Sequence, residues 1–147
     1  MAISGSGFYA LTHEKMMIDT AGQSMEAETH KGLLVTDTYT PDYNAHDFRN
    51  DITNEVSGTG YSAGGEAFTS TELTISGGVV TWDFADPSWA SSSITDAMAH
   101  ISYFNVGADT TDQLLLLLDF VTAVSTSDGT LLVALDAAGA ATWDLVP

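Results

Sequence analysis

The sequence predicts a mainly β chain: an antiparallel β-sandwich of about seven strands, with one or two short helices in its N-terminal third. Three observations predict it. After residue 65 the chain is rich in β-branched and aromatic residues, and turn chemistry interrupts it at fairly regular spacing. Gly77-Gly78 and Asp128-Gly129 are tight-turn dipeptides between apolar runs. The leucine run 114–118 stands between two polar turns, a length that suits a buried strand better than a buried helix.

Phe8, Leu11 and Ile18 suggest a short helix around residues 7–18, with a stripe diluted by Thr12 and His13. Residues 32–39 read as a strand that ends before Pro41, whose ring removes a backbone donor. Asn44 can cap a short second helix with Ala45, Phe48 and Ile52 on one face and Asp47 and Asp51 on the other. Residues 58–65, with four glycines, form the most loop-like stretch.

Beyond it, residues 68–76 alternate and place Thr69, Thr71, Leu73 and Ile75 on one strand face. Gly77-Gly78 leads into a strand over 79–84, and the loop 85–88 carries the next reversal, with Trp89 just beyond it. Residues 97–106 alternate with neither face polar, which predicts a strand covered on both sides or lying in an interface. Residues 113–121 follow as a buried strand, Ser127-Asp128-Gly129-Thr130 as a hairpin turn, and 130–135 and 141–145 as the last strands. All of 1–147 reads as one domain, with residues 1–10 as a docking arm carrying Phe8 and Tyr9.

Composition closes several classes of function. The 147 residues hold three basic and twenty acidic side chains, for a formal net charge of −17, and no cysteine. Without cysteine there is no disulfide framework, thiolate metal site or cysteine nucleophile. Lys15, Lys31 and Arg49 cannot build the basic footprint that a phosphate backbone or an anionic membrane requires, so neither nucleic acid nor membrane is expected as a partner. Residues 1–7 lack the basic start and apolar stretch of a secretory signal, so synthesis and folding in the cytoplasm are expected.

The usual catalytic patterns are missing as well. His13, His30, His46 and His100 have no metal-ligand spacing. Asp42, Asn44 and His46 alternate like the start of a calcium loop but lack its glycine and closing glutamate, and helix capping explains them better. His100 falls mid-strand and reads as a satisfied core or interface imidazole rather than a ligand. No Gly-x-Ser-x-Gly elbow is present, the glycines of 58–65 fit no phosphate loop, and pairs such as Asp83 and Asp86 arise by chance among twenty carboxylates. No catalytic residue, metal or cofactor is expected.

Aromatic residues stand out instead. Trp82 and Trp143 read as core. Trp89, read as a loop residue, is an interface candidate or a sugar platform, and Phe8, Tyr9, Tyr103 and Phe104 complete the set of expected contact residues.

The order Thr38-Tyr39-Thr40-Pro41-Asp42, Ala45-His46-Asp47-Phe48 and above all Asn54-Glu55-Val56-Ser57-Gly58-Thr59-Gly60-Tyr61 resembles a group of small virion proteins of tailed bacteriophages. So does Trp89-Ala90-Ser91-Ser92-Ser93-Ile94-Thr95. The resemblance covers about residues 33–121 and departs near the start, at Met16-Met17-Ile18-Asp19 and the polar run 23–31. It implies a non-enzymatic structural role. The expectation is a capsid decoration, or cement, protein: a homo-oligomer on the outer surface of the major capsid protein lattice, made in the host cytoplasm and located in the virion. The alternatives are a tail or head-fibre component and a host-glycan binding module.

Overall fold

A computed structural model of the chain describes residues 3–17, 24–26 and 29–146. The fold is mainly β and sandwich-like, as the sequence predicts. In chain order its elements are β1 (Gly7–Phe8), α1 (Ala10–Met17), β2 (His30–Thr36), a single 3-10 turn (Arg49–Asp51), β3 (Gly58–Thr59), β4 (Glu66–Ala67), β5 (Glu72–Ser76) and β6 (Val79–Asp83). Then follow β7 (Ser88–Ile94), β8 (Ala97–Phe104), β9 (Leu114–Val124), β10 (Gly129–Leu132) and β11 (Ala141–Asp144). They form three antiparallel sheets, ordered β1-β9-β8-β2-β4, β10-β7-β3 and β11-β6-β5.

The five-stranded sheet is the middle layer. All eight residues of β8 are buried, as expected of a strand with two apolar faces. On one face Leu33, Val35, Ala99, Ile101 and Leu117 pack under Ile3, Tyr9 and Tyr39. On the other, Leu34 packs with Trp89, Ile94, Leu131 and Val133 of the β7 region, and Phe104 and Leu116 pack with Trp82 and Phe84. Both three-stranded sheets therefore share one face of the large one.

The sequence expectation for the N-terminal arm is corrected here. Ile3 and Tyr9 are fully buried, and β1 pairs with β9 through Gly7↔Leu117 and Phe8↔Leu116, so the described part of the arm is an edge strand and a layer of core. Met1, Ala2 and Ile18 lie outside the described residues.

No second α-helix forms over 44–52. Asp42 Oδ1 accepts from the amides of Asn44 and Ala45 at 3.0 and 3.1 Å, so Asp42 rather than Asn44 satisfies the turn. Asp51 Oδ2 accepts from the amides of Asp47 and Phe48, and Phe48 bridges to Gln113. Short acidic side chains here serve the backbone in place of a helical ladder.

Trp89 lies in a strand and not in a loop. Ser91 has φ 49°, and the pairing of β7 with β10 shifts register beside it. That bulge puts Trp89 and Ser92 three residues apart on the buried side and masks the period of two. Asp128 takes the left-handed conformation its turn needs, φ 49°, yet the turn carries the chain from β9 to a different sheet and makes no hairpin. Gly77-Gly78, at φ 57° and 83°, is a true hairpin turn between β5 and β6.

Gly32 fixes the approach of the middle sheet to its cover. A Cβ on it would lie 1.9 Å from His100 Nε2 and 2.7 Å from Phe68 Cε1, so any side chain would force both rings aside. Gly32→Ala is expected to lower unfolding free energy in urea by about 1–3 kcal/mol, the usual cost of overpacking. The loss should shrink in a His100→Ala background, and equal losses in both backgrounds would contradict this contact.

Candidate functional site

Four of the five expected contact residues are internal. Tyr9, Trp89, Tyr103 and Phe104 are at most 1% exposed, so the surface role expected of them is corrected: they build the core. The period-two pattern placed Tyr103 and Phe104 on opposite faces, and both faces turn out to be covered.

Their polar atoms are used inside the chain. Tyr103 donates to the Gly64 carbonyl at 2.7 Å beneath the Arg49 guanidinium. The amide of Asp42 donates to His46 Nδ1, which makes that nitrogen an acceptor; Tyr39 donates to it at 2.9 Å, and Tyr9 donates to Tyr39 at 2.9 Å. Burial pushes the Tyr103 phenol up to about 12 and the Tyr9 phenol much further, so both stay neutral. With Trp89 enclosed against Leu34 and the Tyr61 ring, no open tryptophan platform for a sugar exists there.

The acidic pairs have structural partners. Asp86 Oδ1 accepts from the Leu135 amide, and buried Asp112 accepts from Arg49 Nε and from the amides of Val106 and Gly107. Among the described residues no group of three His, Asp or Glu side chains could hold a metal, and no helix is long and apolar enough to cross a membrane.

His100 is fully buried with Phe68, Phe84 and Trp89 around it, at ring separations of 5.6, 6.5 and 6.4 Å. Among the described residues neither ring nitrogen has a hydrogen-bond partner, so the imidazole is core but not the satisfied one the sequence suggested. Burial alone pushes it down to about 3.

Phe8 is the remaining candidate, and it leads to the surface. It is half-buried, with its ring 5.0 Å from that of Trp143. Trp143 belongs to the β11-β6-β5 sheet, where the rows Leu73↔Trp82↔Ala141 and Ile75↔Val80↔Trp143 share one face. The opposite face carries Glu72, Thr74, Ser76, Thr81, Asp83, Thr142 and Asp144, with Val79 as its one apolar member. Alternation in the sequence made both faces legible.

What the sequence did not show is that the described residues cover the apolar face at one end only. At the Trp82 end it meets Phe104 and Leu116 of the middle sheet. At the other end Ile75 is 75% exposed and Leu145 70% exposed. Here the sheet overhangs α1, and a groove of about 230 Å³ opens between His13 and Met16 of the helix, Met25, and Leu73, Val80, Trp143 and Leu145. The His13 and Phe8 rings hold the Trp143 indole from one side, at 5.8 and 5.0 Å. Among the described residues that line this groove, the His13 ring is the one titratable group. It can bind by shape and apolar contact.

A second exposed apolar feature is a bulge in β9. Six residues of β9, 119–124, run against Ala97 to Ala99 of β8, and Val121 is thrown out at φ 65° with its amide donating to Asp119 Oδ1. A β-branched residue in that region is a strained one.

No protein-family model, curated protein or solved structure matches this chain.

The His100 environment gives a pH dependence. Its folded value of about 3 lies below the ordinary 6.5, so between these the unfolded chain binds more protons. The stability His100 contributes is complete above pH 6.5 and is lost as pH falls toward 3. From pH 6.5 to 5 the loss should be about 2 kcal/mol in urea unfolding, on top of carboxylate effects. His100→Leu should remove that part of the slope; identical slopes in the two proteins would contradict it.

Proposed function

We propose that the chain is a non-enzymatic structural protein of a tailed-phage particle, a capsid decoration protein that binds the outer surface of the major capsid protein lattice and stabilises the head. The observation that carries this reading is the apolar sheet end left open beside α1 on an otherwise well-packed sandwich. An exposed contiguous apolar surface on a small soluble domain marks a place where another protein sits. The virion setting comes from the resemblance carried by residues 33–121, whose most specific segment, 54–61, supports structure in this chain. Glu55 Oε1 accepts from the Tyr61 hydroxyl and the Gly64 amide at 2.6 Å, and Tyr61 in turn reaches the Leu34 amide of the middle sheet.

A decoration protein needs a rigid body, an apolar seat for its partner and a solvated outer face. The three-layer packing, the groove and the acidic surface supply these in turn. The glycan-binding alternative loses its residue, because Trp89 is enclosed.

The test is the abundance of the chain in purified particles. Quantitative mass spectrometry is expected to find it at hundreds of copies, on the order of the major shell protein, with density over the capsid lattice in electron microscopy. A handful of copies confined to the tail or one vertex, or absence from particles, would overturn the reading.

A further inference from the structure

We infer that the groove between α1 and the β11-β6-β5 sheet is the seat for a basic segment of the partner protein, one that inserts one or two large apolar side chains against Trp143 and Leu145 and sets Lys or Arg beside them. This deepens the assembly role proposed above and rests on it.

The size of the groove points to side chains. At about 230 Å³ and open to solvent, it is smaller than the ~300–1,000 Å³ clefts that enclose small molecules. Its walls are of two kinds. The indole of Trp143 is braced by Phe8 and His13, and so offers a pre-set flat surface. Met16 and Met25 are flexible, polarizable side chains that adapt to an incoming apolar group.

Charge selects the partner. Exposed carboxylates flank the groove on its helix side, Glu14 next to His13 and Glu26 next to Met25, whereas Glu72 and Asp144 stand on the opposite face of the sheet and add to the wider negative field. Lys15, the cation of the same helix, has its ammonium 2.8 Å from Asp47. A second copy is a poor occupant, since it would bring another formal −17 to a chain that already carries −17. An acidic or neutral apolar segment gains only the burial. A segment with Lys or Arg flanking its apolar residues gains burial and charge pairing together, and is steered in before contact.

The probe is a synthetic amphipathic peptide of about 15 residues built from leucine and lysine, with a glutamate-for-lysine counterpart. Binding to the full chain is followed by calorimetry and by tryptophan fluorescence. The basic peptide is expected to bind and to weaken by about tenfold or more between roughly 50 and 300 mM salt. The acidic counterpart should bind at least about a hundredfold more weakly.

Ile75→Ser with Leu145→Ser, both exposed positions that spare the core, should cost the basic peptide about tenfold or more. Glu14→Gln with Glu26→Gln should flatten the salt dependence. Unchanged binding in the serine variant would show that the peptide lies elsewhere on the acidic surface and would overturn the inference. So would equal binding of the acidic peptide, or self-association in sedimentation that the serine variant abolishes. If the serine variant is incorporated into particles at the wild-type copy number, the groove is not the docking seat although the decoration role stands. If the groove binds the basic peptide as described while the chain is absent from particles, the decoration role fails and the groove's specificity survives it.

Discussion

The structure depends on one contact layer: β8 and β2, paired from His30↔Phe104 to Thr36↔Ala97 and covered on both faces. Leu34 and His100 stand opposite each other on one side of this pair, and Leu33 and Ile101 on the other. Because neither face is free, everything else in the chain is placed by the need to cover one or the other. The N-terminal segment and residues 39–52 cover the Ile101 side, and the two small sheets cover the His100 side. Gly32 sets how closely the cover can approach, since it leaves the volume that the His100 and Phe68 rings occupy. The layer tolerates an imidazole without a hydrogen-bond partner among the described residues because the ring is neutral and wrapped in aromatic faces; a desolvated polar group costs on the order of 1–3 kcal/mol, and the aromatic contacts offset part of that.

The groove follows from this arrangement. Two three-stranded sheets compete for one face of the middle sheet, and each covers only part of it. The β10-β7-β3 sheet takes the Leu34 end through Trp89, Ile94 and Leu131. The β11-β6-β5 sheet takes the Phe104 and Leu116 end through Trp82, which is also held by donation from its indole to the Met25 carbonyl at 3.0 Å. That sheet is longer than the area left for it, so Ile75, Val80, Trp143 and Leu145 run past the core edge with their apolar side still facing inward. The open end is therefore built from residues whose alternation looks like ordinary core.

This explains what could be read from the sequence and what could not. The two-sided apolarity of 97–106, the Gly77-Gly78 turn and the leucine strand are local signals, and the structure follows them. The strand at Ser88–Ile94 escaped because four weak strand formers and the bulge at Ser91 break the alternation. The 44–52 segment looked helical because its apolar spacing fits a helix, while Asp42 and Asp51 satisfy the backbone by a different route. The N-terminal segment looked like a docking arm because serine and glycine surround Ile3 and Tyr9, and only a partner 110 residues away, β9, gives it a place in the sheet. For the candidate site the obstacle was of another kind. Aromatic residues suit core and interface equally, and which of them lie inside depends on how the sheets stack, so Tyr103 and Trp89 went inward while Trp143, read as core, stayed at the rim.

An open apolar face on a small β protein is also an aggregation hazard, and the charge distribution answers it. Strand β5 is an edge of its sheet, free to pair with a neighbour, and Ile75 projects from it. Across β5 and β6, Glu72 stands directly opposite Asp83, an arrangement that costs the sheet about 0.2–1 kcal/mol through like-charge repulsion. The cost makes sense as protection, because any second copy that tried to extend the sheet at β5 would add its own carboxylates to the pair. The same negative field that keeps copies apart at the edge leaves the groove accessible to a cationic segment. Protection of the sheet edge and the proposed preference for a basic partner then have one physical origin, the excess of carboxylates over the three basic residues.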